Sequence, residues 1–137
     1  DCLKPSARQI FYCLYTDKFV HSKPFKKTLK GIGSAMRMYI HGDSSCEGVI
    51  MRAGQPFAMR YPLIEVEGSY GNLMESGNWA APRYTASRLS SISNYLFEDI
   101  NKNTINEWRD NYDDTEKYPS VLPTKGFYNI VNGSMGM

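Results

Sequence analysis

No apolar run in this sequence approaches the roughly 20 residues that a bilayer-spanning helix needs, and its opening lacks the pattern of a secretory signal. A membrane role through a helical span is therefore excluded. Cysteine is scarce and unpaired: Cys2, Cys13 and Cys46 are an odd number with no C-x-x-C among them. Free thiols in a reducing, cytoplasmic setting are expected, rather than a disulfide scaffold, a zinc knuckle or a catalytic thiol. His21 and His41 are the only histidines, too few for a His-rich metal site. Neither G-x-x-x-x-G-K-[ST] nor G-x-G-x-x-G occurs, which argues against nucleotide binding, and no G-x-S-x-G elbow supports a Ser-His-Asp triad. A compact D-x-D cluster for a divalent cation is missing, as are internal repeats, low-complexity tracts and linkers. The chain opens at Asp1 and runs out from Asn132 to Met137 without a helix or charged tail, so a piece of a longer protein is expected.

What is present suits one soluble domain: 137 residues, 42% hydrophobic and 22% charged. The net charge of +2 says little about partners, but its distribution says more. Lys4, Arg8, Lys18, Lys23, Lys26, Lys27, Lys30 and Arg37 crowd the first third, where Asp1 and Asp17 are the only acids before Asp43. The acids gather later, in Glu98, Asp99, Glu107, Asp110, Asp113, Asp114 and Glu116. A basic third of this kind either faces phosphates or forms an ordinary solvated surface.

Periodicity predicts helices first. Leu3, Ala7, Ile10 and Leu14 share one face, with Pro5 suited to a first turn. Phe25, Leu29, Ile32, Met36 and Tyr39 share another, weakened by Gly31 and Gly33. A third, short helix is predicted after His41-Gly42-Asp43, with Ser44 and Glu47 as a capping box and Arg52 then Gly54 at its end. Helix, helix, short helix is the order of a helix-turn-helix core. Pro62 to Gly68 reads as a strand ending at glycine, and Gly68 to Asn78 as a loop or wing. After Tyr84 a helix is predicted on Leu89, Ile92, Leu96 and Ile100, and short strands with a turn at Asp113-Asp114 are predicted from Thr104 to Val131.

One segment carries a chemical suggestion. In Ala80-Ala81-Pro82-Arg83-Tyr84-Thr85 a guanidinium adjoins a phenol. A tyrosine hydroxyl, with a pKa of about 10, is a poor nucleophile unaided. A neighbouring arginine stabilises charge developing on the phenolate and on a phosphorane-like transition state. An Arg-Tyr pair by itself is also what an ordinary structural tyrosine looks like.

The surrounding motifs decide between these readings. Asp1-Cys2-Leu3-Lys4-Pro5 with Ala7-Arg8, His41-Gly42-Asp43-Ser44, Gln55-Pro56-Phe57, Arg60-Tyr61-Pro62-Leu63, Arg83-Tyr84-Thr85 with Arg88-Leu89, Asn111-Tyr112-Asp113, Thr115-Glu116-Lys117, Leu122-Pro123 and Val131-Asn132-Gly133-Ser134 follow one another in order. From end to end the chain resembles the A subunits of bacterial type IIA topoisomerases, DNA gyrase and topoisomerase IV. The resemblance implies an α+β winged-helix (helix-turn-helix, CAP-like) domain over residues 1–137, with a small β wing and a strand-rich C-terminal part. It implies Tyr84 as the nucleophile that forms a 5′-phosphotyrosine link and Arg83 as its electrostatic partner. Lys4, Arg8, His41, Ser44 and Arg60 would contact DNA, and Met137 would stand where the family wedges an isoleucine between bases; its other reading is a frayed end. The implied partners are double-stranded DNA, a second copy of the A subunit in a homodimer, and a topoisomerase B subunit that holds Mg2+ and binds ATP. The implied setting is the nucleoid.

Departures from the family pattern stand at Ala7 and Gln9, where histidine and arginine are frequent, and at Tyr39-Ile40, in place of histidine and proline. They bear on DNA affinity, and leave a degenerate relative or a non-cleaving winged-helix module as alternatives. Gly48, with Glu47 beside it, stands where an acidic partner of Ser44 is common, which implies altered quinolone response.

Overall fold

The computed structural model describes residues 3–38, 42–98, 100, 105 and 107–122. Helix α1, Pro5–Thr16, begins as predicted, with proline in its first turn, where a missing N–H costs nothing. It buries Ala7, Ile10, Phe11, Cys13 and Leu14. Helix α2, Thr28–Ala35, is shorter than the periodicity suggested. Phe25 lies ahead of it, Leu29 is 55% exposed, and Tyr39 falls outside the described residues. The two residues before it, Lys26–Lys27, form strand β1 instead.

Helix α3, Asp43–Ala53, is capped by Gly42, and no side chain caps it. The predicted capping box does not form, because Ser44 lies inside the first turn and Glu47 is taken by another partner: its Oε1 accepts a hydrogen bond from Trp79 Nε1 at 2.7 Å. At the other end the chain passes so close to strand β2, Ile64–Glu67, that only glycine fits. A Cβ on Gly54 would stand 2.5 Å from Val66 Cγ2.

The main correction follows Tyr84. The predicted helix is absent there; Ala86–Leu89 is strand β3, the middle of a three-stranded antiparallel sheet ordered β1-β3-β2. Leu89 pairs with Ile64, and Ala86 with both Glu67 and Lys27. The helical spacing of Leu89, Ile92 and Leu96 was misleading. Ser87 and Leu89 are buried with alternating neighbours, the period of a strand. Helical turns resume only at Ser91–Ser93 and at α4, Asn94–Phe97. The C-terminal expectation holds for a hairpin of β4, Trp108–Asp110, and β5, Lys117–Pro119, with Asp114 at φ 59 in its turn.

Ile10 and Leu14 of α1, Ile32 of α2, Ile50 of α3, Leu63, Ile64 and Leu89 of the sheet region, and Leu96 of α4 make one continuous core. Among the described residues, no helix is long and apolar enough to cross a membrane.

Candidate functional site

Tyr84 closes a single 3₁₀ turn, Pro82–Tyr84, inserted between the long loop after β2 and the start of β3. Pro82 presets the first dihedral of that turn, and the Tyr84 N–H donates to the Ala81 carbonyl at 2.9 Å. The side chain is 67% exposed. The guanidinium of exposed Arg83 lies 4.9 Å from the centre of the Tyr84 ring, within cation–π range.

The next residue is the opposite in character. Thr85 is buried, and it is tied twice to Thr28, the first residue of α2. The Thr28 N–H donates to the Thr85 carbonyl at 2.9 Å, and Thr85 Oγ1 donates to Thr28 Oγ1 at 2.7 Å. Thr28 Oγ1 lies 2.5 Å from Ser87 Oγ on β3, so three buried hydroxyls form a chain under the tyrosine turn. Gly68, at φ +119, lets β2 end against this turn; a Cβ there would meet Thr85 Cγ2 at 3.0 Å and the Tyr84 carbonyl oxygen at 3.4 Å.

The loop from Ser69 to Trp79 is tied to α3 and to the residues that follow it. Gln55 is 1% exposed, and its Nε2 donates to the carbonyls of Tyr70 and Ser76 at 2.8 and 2.7 Å. Trp79 reaches Glu47, and the Arg52 guanidinium lies 5.6 Å from the Trp79 ring. Arg88 is a latch rather than a free cation. It donates to Glu65 Oε2 at 2.7 Å and to the Lys23 carbonyl at 2.8 Å, and it covers the Phe25 ring at 4.1 Å.

The remaining sequence candidates are scattered. Lys4 is exposed at the N-terminus of α1. Arg8 is 8% exposed; burial pulls its pKa below the ordinary value, and its Nη2 donates to the Leu3 carbonyl at 3.1 Å. Ser44 is exposed in the first turn of α3, and exposed Arg60 sits 5.7 Å from the Tyr61 ring. His41 and Met137 lie outside the described residues. Arg37, counted with the basic third, is committed internally to Asp17 at 3.0 Å and Glu116 at 3.5 Å. Sequence reasoning passed over Thr28, Thr85 and the anchoring role of Gln55. Gln55 at least stood inside a recognised motif, whereas Thr28 carried no signal beyond its place after two lysines. Among the described residues, no three His, Cys, Asp or Glu side chains gather as a metal site.

Fold and site together define a class: an α+β domain that carries a solvent-facing arginine–tyrosine pair on a turn clamped from below. The family model for the A subunits of DNA gyrase and topoisomerase IV matches residues 1–137. The DNA gyrase A subunit of Thermotoga maritima is 43% identical over 138 aligned residues, covering 100% of this chain and 17% of that protein. Its counterpart from Staphylococcus epidermidis is 42% identical, and that from Pseudomonas aeruginosa 38%, each over 100% of this chain and 15% of the relative. The chain belongs to the DNA gyrase/topoisomerase IV A-subunit family and spans about a sixth of the length of these relatives.

Proposed function

We propose that this chain is the DNA-cleaving winged-helix part of a type IIA topoisomerase A subunit, with Tyr84 as nucleophile. The winged-helix reading is supported by the element order: α1, β1, α2 and α3 are followed by the β2–β3 hairpin with its long connecting loop, and β1 pairs with β3. The observation that carries the chemistry is the contrast at residues 83–85. An exposed phenol with a guanidinium over its ring rises from a main chain tethered on both sides.

The proposed step is a transesterification. The Tyr84 oxygen attacks a DNA phosphorus, the P–O3′ bond breaks, the phenol proton passes to solvent, and the departing 3′ oxygen takes up a proton. One phosphodiester replaces another, so the reverse attack by the 3′ hydroxyl reseals the strand. Arg83 offers its charge to the phosphate oxygens as negative charge accumulates. Lys4, Ser44, Arg60 and, more constrained by burial, Arg8 would position the DNA backbone; His41 and Met137 complete the set proposed from the sequence. Mg2+ and ATP are assigned to a partner B subunit on the family resemblance; the metal would neutralise the phosphate during the transfer. Two copies of the A subunit would cut opposite strands in the bacterial cytoplasm, at the nucleoid, and strand passage would require the B subunit.

The test is a covalent protein–DNA adduct formed by the full-length protein with its B partner, magnesium and nicked DNA. The adduct is expected with the parent and lost in Tyr84→Phe. Salt-dependent DNA binding without any adduct would favour the degenerate reading, which the departures at Ala7, Gln9 and Tyr39 leave as the alternative.

A further inference from the structure

We propose that Thr28 is the positioning residue of the Tyr84 turn, acting through a chain of buried hydroxyls that joins Thr85, Thr28 and Ser87. The inference rests on the cleavage reading above and concerns what holds the nucleophile still.

The three hydroxyls are in continuous contact. Thr85 Oγ1 donates to Thr28 Oγ1 at 2.7 Å, and Thr28 Oγ1 and Ser87 Oγ lie 2.5 Å apart, where either hydroxyl can donate. The three side chains are 1%, 1% and 3% exposed, so water does not compete for these bonds. The backbone adds a second tie at the same place. Lys27 faces Ala86 in the β1–β3 ladder, and the Thr28 N–H continues that ladder by donating to the Thr85 carbonyl at 2.9 Å. Thr85 is thus held by both its side chain and its carbonyl to one residue of α2. The main chain of Tyr84, one residue earlier, is restrained by these ties. On its other side the turn is closed by the Tyr84 N–H on Ala81, and the Ala80 N–H donates to the Ser69 carbonyl at 3.0 Å.

An in-line attack on phosphorus tolerates little misplacement. A displacement of about 1 Å in a reacting group costs on the order of 10²-fold in rate. An exposed tyrosine on an untethered turn would sample many positions, so the precision has to come from below. Serine retains the Thr28 hydroxyl, whereas valine keeps its shape and removes both its donor and its acceptor.

The full-length protein with its B partner, magnesium and nicked DNA serves as the test system. Adduct rate at saturating DNA, half-saturating DNA concentration and thermal midpoint are measured together. Thr28→Val is expected to lower the adduct rate by at least about tenfold while half-saturation stays within about threefold of the parent, and Thr28→Ser to restore the rate to within about threefold. If Thr28→Val does not fold, Thr85→Val removes the donor alone and carries the same expectation. A folded Thr28→Val that reacts at the parent rate overturns the proposal. So does a rate loss matched by an equal loss of DNA affinity, or one that Thr28→Ser fails to restore. A parent that yields no Tyr84-dependent adduct instead overturns the cleavage reading, and this role with it; the silent parent marks that case.

Discussion

At the scale of single residues, Arg83 and the cysteines illustrate how burial sorts reactive groups. Arg83 is exposed over an exposed ring, so its charge is available to a ligand rather than spent inside the fold. Arg83→Ala in the complete enzyme is expected to slow adduct formation by about 10²- to 10³-fold with little change in DNA half-saturation, measured by single-turnover cleavage. An equal drop in affinity would reassign Arg83 to backbone binding. Cys13 and Cys46 stand at the other extreme, fully buried, with burial pushing each thiol up to about 11 from an ordinary value of 9.0. Both are therefore neutral and slow toward thiol reagents until the chain unfolds. The unfolded chain loses those protons from about pH 9 while the folded chain keeps them, so stability falls as pH rises from 9 to 11. Denaturant titrations across that window should show the fall in the parent and a shallower one in Cys13→Ala; parallel slopes would refute it.

At the scale of elements, the end of α3 and the loop after β2 behave as one unit because Gln55 supplies two N–H donors to carbonyls of that loop. Gln55→Ala is expected to cost about 1–3 kcal/mol and to speed amide exchange from residue 70 to 77, since the loss leaves polar groups without partners. Unchanged exchange there would show that the Gln55 bonds do not hold the loop. Gly54 makes a similar point through volume. Gly54→Ala pushes a methyl into Val66 and is expected to destabilise by about 1–3 kcal/mol in thermal or urea unfolding. The strand after Tyr84 shows why spacing misread this region. Residues 86–89 enter a sheet because β1 and β2 offer edges on both sides, a pairing between segments roughly 20 or more residues apart that no local window contains.

At the scale of the whole molecule, Arg37 and Asn111 join parts distant in sequence. Arg37 pairs with Asp17 at the end of α1 and with Glu116 of the C-terminal hairpin, and its carbonyl accepts from Asn111 Nδ2 at 3.0 Å. Asn111 Oδ1 also receives the N–H groups of Thr115 and Glu116, shaping the hairpin turn. This is the physical content of the Asn111-Tyr112-Asp113 and Thr115-Glu116-Lys117 motifs, which the sequence presented without a role. It also explains why the basic third is less available than its composition suggests: Arg37, Arg8 and Lys26 are engaged inside the fold.

The amino-acid sequence by itself determined the family, through short motifs in register, and the helices α1 and α3, through apolar spacing and a proline and glycine at their ends. Those signals are local, so they survive without a structure. It also singled out Tyr84, because Arg83 and the neighbouring motifs make one tyrosine of many unlike the rest. Only the tertiary structure decided that β3 is a strand, that Glu47 holds Trp79 instead of capping its helix, that Arg8 is buried, and that Thr28 lies beneath the Tyr84 turn. Each of these depends on a partner roughly 20 or more residues away, except for Arg8, whose burial depends on the packing of the whole core. Hydrogen-bond partners and burial are properties of proximity, and proximity across a sheet is set by the folded chain rather than by any stretch of it.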